Sequence, residues 1–125
     1  MTAEPELRTV LRRLTKRREF LHAAQGDRAG RPGFTLQAIA VEGLVAGVGF
    51  TVTKKTGNAP QRNRIKRRLR AAARACGDEF QPQHDYVLVG RREALTLPYA
   101  KVVADLSSAI HKVHAKSRVA GTQRP

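Results

Sequence analysis

Tryptophan is absent from the 125 residues, tyrosine occurs twice and cysteine once. With Cys76 as its one thiol, the chain can form no internal disulfide and no zinc site of the usual thiolate-rich, four-ligand type. A reducing compartment fits. Long hydrophobic runs are missing too: no window approaches the roughly 18 apolar residues of a membrane-spanning helix, and Met1 to Arg13 holds no apolar stretch of signal-peptide kind. Secretion and membrane spanning are disfavoured, and a cytoplasmic location is expected. Acidic residues are scarce, with 10 Asp plus Glu against 24 Lys plus Arg, a formal charge of +14 and a pI near 11.4. That balance lies far outside an ordinary cytosolic enzyme and implies a polyanionic partner. What is present suffices for one domain, because 41% of the residues are hydrophobic and the length matches a single core.

The cations fall in two clusters. Arg8, Arg12, Arg13, Lys16, Arg17 and Arg18 form the first; Lys54, Lys55, Arg62, Arg64, Lys66, Arg67, Arg68, Arg70 and Arg74 form the second. Nothing acidic occurs between Glu42 and Asp78, so the second cluster has no neutralising neighbours in sequence and projects a field that attracts phosphate. A merely solvated face would interleave both signs at helical spacing. An anionic membrane is the weaker alternative, since apart from Phe20 neither cluster carries the large aromatics that an interfacial helix inserts.

Periodicity places the elements. Leu7, Leu11, Leu14 and Leu21 recur near helical spacing, which predicts a helix over at least the second half of Leu7 to Ala24. Gly26 to Gly33 is dense in turn formers and reads as a loop. Phe34 to Glu42 and Val45 to Thr53 read as an antiparallel hairpin about Gly43 and Leu44. A helix from about Pro60 to Cys76, stopping at Gly77, puts Ile65, Leu69, Ala72, Ala73 and Cys76 on one side and Arg64, Arg67 and Arg74 on the other. Asp85 to Gly90 is a nearly continuous apolar strand, so strand, helix and strand suggest parallel pairing. A last amphipathic helix begins near Pro98 and carries Tyr99, Val102, Val103, Leu106, Ile110 and Val113; beyond Ala115 the chain turns polar and is expected to fray.

Catalytic chemistry finds little to work with. His111 and His114 lack a third ligand or an intervening acid and read as a solvent-facing pair; His22 and His84 adjoin no nucleophile or orienting group. Cys76 falls in the apolar stripe, where a thiol is inert. Gly43, Gly47 and Gly49 imitate a phosphate loop only loosely, without a Gly-Lys-Ser/Thr ending. No catalytic residue and no metal ligand is expected. The informative stretch is instead Lys54-Lys55-Thr56-Gly57-Asn58-Ala59-Pro60-Gln61-Arg62-Asn63-Arg64-Ile65-Lys66-Arg67-Arg68-Leu69-Arg70, a strand end, a glycine turn and a helix start carrying forked guanidiniums. Helix amides and Arg side chains together hold phosphate there.

Lys-Lys-x-Gly-Asn-Ala-x-x-Arg-Asn-Arg-x-Lys-Arg resembles the signature of the bacterial ribonuclease P protein subunit, and the likeness extends from about Leu14 to His114. The resemblance implies a single α+β domain in α-β-β-β-α-β-α order, with a small mixed sheet packed against helices and a left-handed β-α-β crossover at the basic helix, where pattern reading alone gives the right-handed default. Residues 1–13 would then be a basic N-terminal extension, 14–114 the ribonuclease P protein-like domain and 115–125 a polar, disordered tail. The implied reaction is hydrolysis of a phosphodiester that frees the mature 5′ end of a tRNA from its precursor. The ribonuclease P RNA with bound Mg²⁺ would be the catalyst, with no organic cofactor, no small-molecule substrate and no membrane partner.

By the same resemblance Lys54, Lys55, Asn58, Arg62, Asn63, Arg64, Lys66, Arg67, Arg68 and Arg70 are expected at the RNA subunit. A second surface, holding the single-stranded leader of precursor tRNA, would use Lys16, Phe20 and Phe34. For both Phe residues plain core packing is the other reading. The second aromatic position of that helix is Ala24 here, which shifts the burden toward charge. A structural ribosomal-type RNA-binding protein is the alternative; a DNA regulator ranks last, because strands frame the basic helix and leave no helix-turn-helix pair.

Overall fold

A computed structural model describes residues 11–123, with side chains described as far as residue 115. The elements are β1 (Arg12–Arg13), α1 (Arg17–Ala23), β2 (Asp27–Gly30), β3 (Phe34–Ala40), β4 (Gly47–Thr51), α2 (Ala59–Ala75), β5 (His84–Gly90) and α3 (Tyr99–Gln123). The strands form one mixed sheet in the order β1-β4-β5-β3-β2. Apart from the short β1, this is the expected α-β-β-β-α-β-α sequence in a single α+β domain.

Strand β5 is buried through Asp85, Tyr86, Val87 and Leu88, that is, on both faces, which is the property of a central strand. It runs antiparallel to β3, with Leu36 opposite Leu88, and parallel to β4, with Phe50 opposite Leu88. The expected hairpin of β3 with β4 therefore does not form; β5 lies between them. An apolar strand with two faces to bury gains more from two ladders than β3 and β4 gain from pairing with each other, and the local pattern around Gly43 contains no sign of a strand that arrives forty residues later. The loop instead takes a left-handed turn at Gly43, φ 133°, and leaves Leu44 exposed.

A further expectation is corrected. The stretch read as a loop contains β2, whose Asp27–Gly30 pair with Thr35–Ala38; only Arg31 to Gly33 turn, closed by the Arg31 N–H donating to the Phe34 carbonyl at 2.8 Å. A short edge strand survives without branched residues because only one of its sides is paired. The first helix occupies the second half of its leucine stretch, as the spacing predicts: it begins at Arg17, and Arg12–Arg13 before it pair in parallel with Gly47 and Val48. Leu7, Arg8 and the rest of residues 1–10 of the expected extension lie outside the described residues. Helix α3 continues to Gln123, past Ala115 where a polar tail is expected.

Alternation divides the side chains between two faces of the sheet. Phe34, Leu36, Ala38, Val48, Tyr86 and Leu88 point toward α2 and α3 and meet Ile65, Leu69, Ala72, Leu106 and Ile110 in the main core. On the other face Val87, Val89 and Ile39 meet Leu14, Phe20 and Ala23 of the α1 region in a smaller cluster. Cys76 is 2% exposed, and burial pushes its thiol up to about 11. His114 is not the solvent-facing partner of His111: its Nε2 lies 2.6 Å from the Tyr86 hydroxyl, and its ring centroid lies 4.7 Å from that of His84.

The Tyr86 hydroxyl also accepts from the Gln81 N–H at 2.9 Å, and burial pushes the phenol up to about 12. A folded value above the ordinary 10 means that the stability this group contributes is whole below pH 10 and is lost as pH rises through about 12. Urea midpoints of Tyr86→Phe and wild type are expected to differ by a constant amount below pH 10 and to converge toward pH 12; a constant difference across the whole range would contradict this origin of the shift.

Candidate nucleic-acid interface

Beyond β4, Lys54–Thr56 make a single 3-10 turn, and Gly57 leads into the cap of α2. Asn58 Oδ1 accepts from the Gln61 N–H and Gln61 Oε1 accepts from the Asn58 N–H, each at 2.9 Å, so two of the helix's unpaired amides are satisfied reciprocally. Asn58, expected at RNA, thus serves first as the helix cap. Arg62 Nη1 donates to the Gly57 carbonyl at 2.8 Å and braces the same turn. No acid occupies the first turn, which leaves the positive end of the helix dipole unopposed beside the exposed Lys54 and Lys55.

The exposed face of α2 carries Asn63, Arg64, Arg67 and Arg74, at spacings that place the guanidiniums in one row. Lys66 and Arg70 are half-buried at its edge, with Arg70 Cζ 5.5 Å from the ring centroid of Phe50. Arg68 is held differently. Its Nη1 donates to the Ala94 carbonyl and its Nη2 to the Leu97 carbonyl, so the guanidinium ties α2 to the turn before α3. Its place on the opposite edge of the apolar stripe is what aims it there.

A second surface lies on the other side of the sheet, a cleft of about 460 Å³ between α1 and strands β3, β4 and β5. Arg17, Phe20, Leu21 and Ala24 form its helical wall, while Gln37, Thr51, Val87 and Val89 are its floor. Phe20 can reach the sheet because β4 presents glycine beneath it: a Cβ at Gly49 would stand 2.8 Å from Phe20 Cζ. Glu19 fixes the start of α1 by accepting from the Thr15 and Lys16 N–H groups at 3.0 Å, and the Lys16 amide holds its carboxyl below the usual range. Arg12 spans Glu19 and the buried Asp85, pinning this corner to β5.

Of the three residues expected at this cleft, Phe20 lines it. Lys16 is exposed at the helix cap without lining it. Phe34 is a correction: it is 0% exposed and belongs to the main core, because its register on β3 turns it toward α2 and α3. Arg17, Gln37 and Thr51 were missed. The signals for them exist in the chain, since Arg17, Leu21 and Ala24 share the helical face of Phe20, and Gln37 and Thr51 are polar positions on otherwise apolar strands.

Residues 9–114 match the ribonuclease P family. The chain belongs to the ribonuclease P protein family. A ribonuclease P protein component from Bartonella quintana is 42% identical over 106 residues, spanning 78% of this chain and 80% of its own length. One from Ruegeria pomeroyi is 45% identical over 107 residues, spanning 82% and 86%. The solved ribonuclease P protein of Thermotoga maritima superposes with a TM-score of 0.66 at 25% identity, over 75% of this chain and 90% of that one. Membership makes this chain the RNA-binding protein component of an endoribonuclease of tRNA processing, with an RNA partner in a ribonucleoprotein.

Among the described residues, no group of three or more His, Cys, Asp or Glu side chains is placed to hold a metal ion. No helix among them is long and apolar enough to cross a membrane. Replacing Arg68 by Gln is expected to lower unfolding stability by about 1.5–3 kcal/mol, the range for hydrogen bonds to a charged group, and to leave RNA affinity unchanged. Urea titration and filter binding below the unfolding range check the two halves; a stable variant with weakened RNA binding would return Arg68 to the interface.

Proposed function

We propose that the cationic face of α2 binds the ribonuclease P RNA while the cleft beside α1 holds the single-stranded 5′ leader of precursor tRNA. The observation that carries this reading is the placement of two different surfaces on opposite sides of one sheet. One is a row of guanidiniums without acids; the other is a narrow cleft with an aromatic wall and a cationic rim. A rigid row suits the phosphates of a folded RNA, and a cleft one aromatic deep suits an unpaired strand. Thr51 in the cleft precedes Lys54 by three residues, so the leader and the RNA subunit would be gripped at neighbouring points of one strand and turn.

On this reading the hydrolysis is carried out by the RNA subunit, and Mg²⁺ is held by RNA phosphates. The protein contributes charge neutralisation and positioning, both in the cytoplasm where precursor tRNA is made. Arg17 and Lys16 would steer the leader backbone, and Phe20 would stack with one base. Gln37 and Thr51 offer hydrogen bonds from the floor. Ala24 adds no second ring, so the cleft relies on one stack. The ribosomal-type alternative explains the basic face but gives no role to the cleft.

The deciding experiment is cleavage of precursor tRNA by ribonuclease P RNA at low Mg²⁺ with and without the protein. Stimulated cleavage at the mature 5′ end is expected; tight RNA binding without stimulation would favour the structural alternative. Arg64→Gln with Arg67→Gln is expected to make the log–log salt dependence of RNA binding shallower by about 0.7–0.9 for each phosphate left without its guanidinium. Phe20→Ala should weaken binding of precursor tRNA about 5- to 150-fold, the worth of one base stack, while mature tRNA is unaffected. Equal losses for both tRNAs would assign Phe20 to folding alone.

A further inference from the structure

A third recess lies on the helix-facing side of the sheet edge, where β1 and β4 meet α2. It measures about 170 Å³, and its floor is Leu11, Val48, Phe50 and Ala73. Arg12, Arg13, Arg70 and Arg74 line it as well, and no acid does. Arg12 is committed to Asp85 and Glu19, and Arg70 sits over Phe50. Arg13 and Arg74 are exposed, and neither has a hydrogen-bonded or ion-paired partner among the described residues.

We propose that this recess is a base-binding pocket that takes one unpaired nucleotide of RNA, its ring against Phe50 and Arg70 and its flanking phosphates on Arg13 and Arg74. The inference rests on the RNA-binding reading of α2 and adds to it a site that neither the helix row nor the leader cleft contains. Three observations choose this occupant. The floor is apolar and the rim cationic, which is the complement of a nucleotide: a flat ring with an anionic backbone. The volume lies below the roughly 300–1000 Å³ of pockets that enclose whole drug-sized ligands, and so suits one ring. The rim is continuous with the row of Arg64 and Arg67 through Arg74, so a bound RNA strand reaches it without leaving the cationic face. Aromatic and guanidinium planes are the surfaces on which unpaired RNA bases stack.

Phe50 also borders the leader cleft, which makes the rim arginines the discriminating positions. Arg13→Gln with Arg74→Gln, in the full chain, is to be compared with wild type in two arms: affinity for ribonuclease P RNA, and affinity of the assembled complex for leader-bearing precursor tRNA. The expected result is a salt dependence shallower by about 1.4–1.8 in one arm only, which identifies the RNA that supplies the nucleotide. Phe50→Leu, which keeps the position apolar and removes the ring, is expected to weaken the same arm about 5- to 150-fold. An unchanged slope in both arms overturns the proposal, as does a Glu-rich peptide that binds wild type and is released by the rim variant while RNA binding stays constant. Arg64→Gln with Arg67→Gln run alongside separates the two claims: weakening there with none at the rim removes only the pocket, whereas no weakening in either variant removes the RNA reading of α2 itself.

Discussion

Strand β5 has apolar side chains on both faces and hydrogen-bonded neighbours on both edges, and a strand buried in that way demands cover above and below the sheet. Helices α2 and α3 supply it on one side through a full core; α1, Leu14 and Phe20 supply it on the other through a small one. The unequal cover is what leaves a cleft on the second side. Because α2 must lay Ile65, Leu69, Ala72 and Ala73 on the sheet, its cations are forced to the remaining faces, where they collect without acids between them. Both candidate surfaces follow from burying the same strand.

The arginines divide by what the core leaves them. Arg68 and Arg62 donate to backbone carbonyls and hold turns in place, Arg12 neutralises the buried Asp85, and Arg70 rests on Phe50. Arg64, Arg67 and Arg74 remain in water. Like charges this dense oppose folding, and the internal contacts of the first group offset part of that repulsion by giving cations fixed acceptors. A positive field at the surface is thus maintained by a subset of the cations, with the rest used as braces.

Helix α2 was legible to within a residue, because its apolar stripe and its Gly77 stop are local signals, and α3 announced itself by periodicity. The sheet order was not, since the insertion of β5 between β3 and β4 depends on contacts far apart in sequence. Strand β2 was hidden by turn-forming residues that an edge strand tolerates. In the interface, the row on α2 could be read from charge and spacing. Arg68 and Phe34 could not be assigned, because each is decided by direction: one step around the helix sends Arg68 to Ala94, and one register position sends Phe34 into the core. The Arg13 and Arg74 recess combines two segments sixty residues apart and has no signature in either.

Seven residues make α1, well short of the roughly 12–15 that a helix needs to stand alone in water. It is held by the Glu19 cap, by Ala23 and by a phenylalanine resting on a bare glycine. A polymer threaded along its open side adds contacts to the least supported element of the fold, so occupancy and local order are linked. The wall of the cleft is firmest when the cleft is full.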